Sequence, residues 1–284
     1  MAQNMKAVKL RMKSIQSTKQ ITKAMELVAS SKLRKAKAKA DAALPAFKIL
    51  RKTLITISKH NNDFTSVFSK NNGSDKWCYV VIAGDRGLAG GYNANLFKFV
   101  AAQNEDQDCI YFPVGKKANE YYARRDAEIT SRICPEAAAA SISECYEISK
   151  FLCEGYKKGD FGHIAVCYTE FQNMLTMANR VIPVLPLMDF AGEEYDEKAI
   201  KNIIEYKPDP ETVFDAIVPE LVANIIYSSV CESVASELAA RRTAMDAATK
   251  NAEEMLSNLE LSYNRARQAS ITQEITEIIA GSQS

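Results

Sequence analysis

The sequence predicts an α/β central domain of Rossmann-like type combined with a long antiparallel two-helix coiled coil made from the two ends of the chain. Three observations predict it. Ten of the eleven glycines lie between Gly73 and Gly192, with Gly281 the only other one. Residues 1–72 hold no glycine and one proline, Pro45, while residues 220–280 hold neither. Turns need Gly and Pro for their unusual backbone angles, so such lengths without them argue for two long helices around a compact centre. In the centre, short apolar runs alternate with helical stretches, the pattern of a mainly parallel sheet.

The first helical segment, residues 1–60, shows apolar or small residues at Leu33, Ala36, Ala40, Ala43, Phe47, Leu50, Leu54 and Ile57. The steps alternate between three and four, which makes a heptad seam. The last segment, 210–284, gives a matching seam at Met245, Ala248, Ala252, Met255, Leu259, Ser262, Ala266 and Ala269. Small seam residues let two helices approach closely. Pro45 removes one backbone donor and crowds the preceding turn, so a kink is expected there. A helix of ~60 residues spans ~90 Å at 1.5 Å per residue, too long for one small domain to cover, so much of it should project and pair.

The central domain, 74–205, begins with the strand-like run Trp77–Ala83 and a Gly-rich turn. Asp108–Phe112 is a second strand, followed by a helical stretch over 117–127, and 137–156 reads as another helix. Gly162–Tyr168 and Val181–Leu185 complete the strands, and Asp189–Glu197 reads as an acidic solvated loop. Pro208-Asp-Pro-Glu-Thr212 is a good helix start, with acid at the positive end of the helix dipole. Pro219 follows soon after and is expected to bend the start of the last helix.

The 284 residues carry 36 Lys or Arg against 35 Asp or Glu, which excludes a globally basic or acidic protein. Seven cysteines are scattered without a CxxC pair, consistent with reduced thiols in a cytosolic setting. Two distant histidines, His60 and His163, argue against a histidine metal site. The longest strongly apolar run, Cys78–Ala83, is too short to span a bilayer, and the opening residues lack the apolar region of a signal peptide. Gly84-Asp-Arg-Gly-Leu-Ala-Gly-Gly91 follows a strand but lacks the Lys-Ser or Lys-Thr of a P-loop and the GxGxxG spacing, so it reads as a tight turn. Gly115-Lys-Lys117 lacks the upstream glycine of a phosphate loop. No nucleophile elbow or spaced acid pair is present, and no catalytic residue, cofactor or metal is expected.

Charge is more informative. Residues 1–40 hold eleven Lys or Arg and one acid, Glu26, so this stretch is +10 and the remaining chain is −9. Such a helix calls for a negative partner: nucleic acid, anionic lipid or an acidic protein surface. The absence of aromatics from 1–40 argues against stacking on single-stranded bases. The residues alone leave three readings: a non-catalytic mechanical coupling protein, a nucleic-acid-binding coiled coil, and a nucleotide-binding α/β enzyme with helical arms.

Ile21-Thr-Lys-Ala-Met-Glu-Leu-Val-Ala-Ser-Ser-Lys-Leu33 resembles the N-terminal signature of the F-type ATP synthase gamma subunit. Ala235–Ala252 and Tyr263–Ile278 resemble its C-terminal motifs, and the 84–93 turn and 206–210 also match. The resemblance implies the central rotor shaft of an ion-translocating ATP synthase, with no nucleotide chemistry of its own. Its implied partners are the hexameric alpha and beta ring, the epsilon subunit and the c-ring, with no nucleic acid and no membrane insertion. It implies a peripheral place on the cytoplasmic face of the bacterial plasma membrane.

The resemblance also implies site residues. Lys19, Lys23, Met25 and Lys32 would lie near the beta levers, and Arg267, Gln268 and Thr272 would hydrogen-bond the ring. Ile271, Ile275, Ile278 and Ile279 would form the apolar bearing tip. Tyr206 and Lys207 would lie in the c-ring contact, where many relatives carry Glu instead of Lys207. No long insertion bearing a cysteine pair is present, so no thiol switch is expected.

Overall fold

The computed structural model describes residues 2–60, 64–105, 107–130, 135–174, 176–187 and 205–282. The acidic stretch Asp189–Glu197 lies outside them. Two very long helices bracket the chain: α1, Ala2–His60, and α5, Pro210–Ser282. Between them come β1 (Trp77–Ile82), α2 (Tyr92–Gln103), β2 (Cys109–Val114), α3 (Lys116–Ala123), α4 (Ile142–Lys158), β3 (His163–Phe171) and β4 (Met177–Leu185). The chain divides into two compact units: Met1–Ser31 with Arg241–Ser284, and Lys32–Ala240.

In the larger unit the strands form one sheet in the order β2-β1-β3-β4. β1 runs parallel to both β2 and β3, and β4 is antiparallel to β3. The sheet is therefore mainly parallel. β1 is buried on both faces, which explains its unbroken apolar run. Cys78, Val80 and Ile82 face a core built with Leu54 and Ile57 of α1, Leu152 and Tyr156 of α4, and Phe214, Val218 and Val222 of α5. Tyr79 and Val81 face the other way, onto Leu96, Phe97 and Val100 of α2 and Ala118 and Tyr122 of α3. The period-2 alternation of a strand thus builds a helix–sheet–helix sandwich.

Helix ends follow local chemistry. Ser141 and Glu144 form a reciprocal capping box at the start of α4, and Gly159, at φ 81°, closes it. Asp209 accepts the Thr212 amide at 2.7 Å, so α5 begins where the Pro-Asp-Pro run predicts. Pro45 does not break α1, which runs through it as one helix. Pro219 likewise lies inside α5, and its carbonyl accepts the Ser149 hydroxyl at 2.8 Å.

Two expectations need correction. By length and composition α5 could cross a membrane, since it carries an 18-residue window of mean hydropathy 1.4, of which 56% is buried inside the fold. The apolar content has a local reason: Phe214, Val218, Leu221, Val222, Ile226 and Val230 are core residues. The second correction concerns the C-terminal seam. The inward positions are Met245, Thr249, Ala252, Leu256, Leu259, Tyr263, Ala266 and Ser270, while Met255, Ser262 and Ala269 are exposed. Every other position is as expected, and those between are displaced by one residue; at the first of these, Thr249 finds a partner that apolar spacing does not reveal.

The α1 seam is as expected over Leu33–Ile57 and extends to the start of the helix: Met5, Val8, Met12, Ile15, Lys19, Thr22, Glu26 and Ala29 are all buried or half-buried. Its spacing of three and four is unbroken over the whole helix.

Candidate functional site

In the smaller unit the two helices meet through a polar section of the seam. The Thr22 and Thr249 hydroxyls are 2.8 Å apart and buried. Lys19 Nζ lies 2.9 Å from Glu253 Oε1. Position 19 therefore meets 253 and position 22 meets 249, so the helices are antiparallel. Glu26, one turn on, is 9% exposed and accepts from Lys23 Nζ at 2.9 Å. On α5, Lys250 bonds Asp246 at 2.8 Å, a contact that holds the exposed Asp246 carboxyl below its ordinary value and raises Lys250. In the larger unit the same helices pack through Leu33, Ala36, Ala235, Leu238 and Ala239, where alanine permits close approach.

The outward face around Met25 is apolar. Ile21, Leu27 and Val28 are more than half exposed, and Met25 is half-buried beside them. Ile21, Met25 and Val28 recur at steps of four and three, one stripe of a helix. Lys23 and Lys32 are exposed around it. Of the expected ring-facing cations, Lys19 differs in being half-buried and paired across the seam with Glu253, whereas the exposed Lys23 pairs with Glu26 on its own helix. Sequence reasoning missed Ile21, Leu27 and Val28; the signal was available in their position off the seam within the quoted signature.

Arg267, Gln268 and Thr272 lie on an exposed stretch of α5, about five turns beyond Thr249. The Thr272 hydroxyl donates to the Gln268 carbonyl at 2.9 Å, leaving the Gln268 side chain at the surface. Ile271, Ile275, Ile278 and Ile279 are 47%, 52%, 70% and 52% exposed. Four isoleucines thus stand open to solvent near one helix end rather than in the seam. At the other end of α5, Tyr206 is half-buried against the central core, and Lys207 is exposed, 3.8 Å from Glu205.

In this fold class a nucleotide commonly sits beyond the C-terminal ends of the strands. At the ends of β1 and β2 the chain's own groups bond one another. Asp85 accepts the amides of Lys116 at 3.2 Å, Ala137 at 3.1 Å and Ala138 at 2.9 Å. The Lys116 amide is the N–H that a phosphate would use at the start of α3. A side chain at Gly115, whose φ is 91°, would fall on the Ala83 carbonyl. A Cβ at Gly84 would stand 2.6 Å from Glu237 Oε1 of α5. The Gly-rich segment is thus a tight turn that brings backbone against backbone and against α5.

The described cysteines are all free thiols, and burial raises Cys145 and Cys153 to about 12. Cys134 lies outside the described residues, as does the His60 side chain. Among the described residues no group of three His, Cys, Asp or Glu is placed to hold a metal ion.

The family profile described as ATP synthase matches residues 4–284. The ATP synthase gamma chain of Ruminococcus albus is 42% identical over 286 residues, covering 98% of each chain. This chain belongs to the ATP synthase gamma-chain family. The sodium-ion-specific ATP synthase gamma chain of Acetobacterium woodii is 36% identical over 299 residues, covering 100% of this chain and 99% of the relative. The fold is that of solved central stalks. A chain in the OSCP/F1/c-ring structure of the Euglena gracilis mitochondrial ATP synthase aligns with TM-score 0.70 at 18% identity, covering 99% of this chain and 94% of that one. A chain of the rotor from the same enzyme aligns with TM-score 0.67 at 17% identity, covering 95% and 100%.

Proposed function

We propose that the chain is the rotating central-stalk subunit of an ion-translocating ATP synthase. It turns inside a ring of alpha and beta subunits and couples ion flow to ATP synthesis or hydrolysis on beta, without binding the reacting nucleotide itself. The observation that carries the reading is the full-length family membership of a chain whose two end helices pair antiparallel while signature residues stay on the outside. Segments 1–60 and 210–284 serve as the shaft, and 74–205 serves as the domain that meets the epsilon subunit and the c-ring. The assembled protein would lie peripherally on the cytoplasmic face of a bacterial plasma membrane.

The mechanism follows from differential contact. A two-helix shaft has no threefold symmetry, so each beta subunit meets a different face of it. A rotor can shift the conformational equilibrium of a subunit only through contacts that differ between states. Exposed cations on α1, including Lys23 and Lys32, suit acidic loops on beta, because charge attraction tolerates sliding better than close packing. Met25 with Ile21 and Val28 gives a short apolar stripe for the same levers. Arg267, Gln268 and Thr272 supply donors to the ring further along α5 towards its tip, and the four isoleucines give a bearing surface without directional bonds. Tyr206 and Lys207 belong to the c-ring side.

Reconstitution tests the reading. The chain should co-purify with alpha and beta subunits and, with the membrane sector in sealed vesicles, support ATP-driven ion uptake. Stable alpha–beta complexes that exclude the chain, or steeply salt-dependent binding to duplex DNA in their place, would overturn it.

A further inference from the structure

Torque entering the α/β domain has to pass into α5, whose apolar packing in the core is joined at one place by directional bonds. A specific polar joint sits at this place. β1 pairs with β3 only as far as Val81↔Cys167. Beyond that point β1 has turned away through Gly84, and the backbone groups of Thr169 on β3 lose that neighbour. α5 supplies the replacement. The Thr169 amide donates to Ser233 Oγ at 3.2 Å, and Ser236 Oγ donates to the Thr169 carbonyl at 3.0 Å. A third bond, from Tyr92 OH of α2 to the Ser233 carbonyl at 3.0 Å, holds the same turn of α5. Thr169, Ser233 and Ser236 are 3%, 1% and 0% exposed, so no water replaces these partners without opening the core.

The geometry is that of a key. Moving α5 by one residue in its own register shifts it 1.5 Å along and turns it by 100°, which removes both serines from Thr169 at once. Burying an unpartnered strand amide and carbonyl is costly, so intermediate positions are disfavoured. Glu237, 2.6 Å from where a Cβ at Gly84 would stand, lies one residue beyond and further limits movement on that side.

We propose that Ser233 and Ser236 are positioning residues of the rotor: they lock the register of α5 against β3 and so carry torque between the α/β domain and the shaft helix. The proposal rests on the rotor reading of the preceding subsection. The test uses the complete synthase in sealed vesicles, comparing the chain with S233A/S236A and with S229A. Ser229 is a buried serine one turn earlier on α5, outside the pair that meets Thr169, and controls for loss of a buried hydroxyl. Assembled complex is quantified in each case, and ions pumped per ATP hydrolysed is the readout, which a merely structural defect does not change in complexes that have assembled.

With two buried hydrogen bonds lost together, the double variant should lower this ratio about threefold or more, while hydrolysis per assembled complex stays within about twofold. S229A should leave the ratio unchanged. An unchanged ratio in assembled S233A/S236A complexes would overturn the proposal, as would an equal fall in S229A. Should the double variant not assemble, S236A alone takes its place; an intermediate fall supports the lock and an unchanged ratio overturns it. Failure of the unsubstituted chain to support pumping in the same vesicles would instead remove the rotor reading, and the lock with it.

Discussion

The Thr22 hydroxyl and the Thr249 hydroxyl meet at 2.8 Å inside the seam between α1 and α5, although 227 positions separate them in sequence. Thr22 also reaches the Lys19 carbonyl at 3.0 Å, and Thr249 the Met245 carbonyl at 2.8 Å. Whichever hydroxyl donates across the seam, the other has an acceptor on its own helix. Both polar groups are satisfied, and the pair sets which turns of the helices face each other.

Replacing either threonine by valine keeps the shape and removes the hydrogen bond across the seam, leaving the other hydroxyl only the carbonyl of its own helix. Each single variant should cost about 1 kcal/mol in denaturant unfolding of the full chain. The double valine variant should cost less than the sum, because no hydroxyl is then left across the seam. Strict additivity would show that the two groups are not coupled.

Gly84 and Gly115 allow the close approaches around the turn. An alanine at Gly84 forces Glu237 aside and should cost about 1–3 kcal/mol. An alanine at Gly115 meets the Ala83 carbonyl and also sits at φ 91°, so its loss should be larger and abolish soluble expression or lower Tm the more. Differential scanning of the two variants gives the order, and equal Tm values would contradict it.

Glu232 on α5 has a carboxylate oxygen, Oε2, that is buried with no hydrogen-bond partner among the described residues. It faces Glu170 and Tyr168 of β3, with Arg180 of β4 bound to Glu170 at 3.1 Å. Burial first, and the Glu170 charge second, push its carboxyl up from 4.5 to about 7. The folded state therefore holds a proton that the unfolded state has released. The stability tied to that proton is complete below pH ~4.5 and is lost as pH rises through ~7. Glu232→Gln stays neutral throughout. Allowing for solvent access to the site, it should gain about 1 kcal/mol at pH 8, or about 2–4 °C in Tm, and little at pH 5. A gain independent of pH would contradict the assignment.

Met25→Lys places a further cation in the apolar stripe with Ile21 and Val28. If this stripe meets acidic levers, the added attraction favours one rotational position over the next. An extra ~0.5–1 kcal/mol there should cut ATP-driven pumping about two- to fivefold more than hydrolysis. Equal loss of both in reconstituted vesicles would remove Met25 from the lever contact.

The long helices were legible because nothing in 1–44 or 220–280 can turn a chain, and the strands because β1 and β3 are apolar runs bounded by glycine. The Leu33–Ile57 seam was legible for the same reason, being apolar at every step. The C-terminal seam was half legible. Ala248 and Met255 look more apolar than Thr249, yet Thr249 faces inward, where Thr22 satisfies it. Apolar spacing cannot register a polar seam whose two halves come from opposite ends of the chain. The same limit hid Lys19–Glu253 and the Ser233–Thr169–Ser236 joint. Membership of the family was legible because Ile21–Leu33 and the C-terminal motifs are long and specific, while the exposed stripe Ile21, Met25 and Val28 needed the helix faces to be known.

The most direct test of the central claim is to watch the chain turn. Alpha and beta subunits would be fixed to a surface with the chain bound in their ring, and a visible particle attached through Lys207→Cys, an exposed position at the α/β end of α5. On addition of ATP the particle should step in one direction for many turns and stop when ATP is exhausted. A ring that hydrolyses ATP through this chain while the particle stays still would contradict the account.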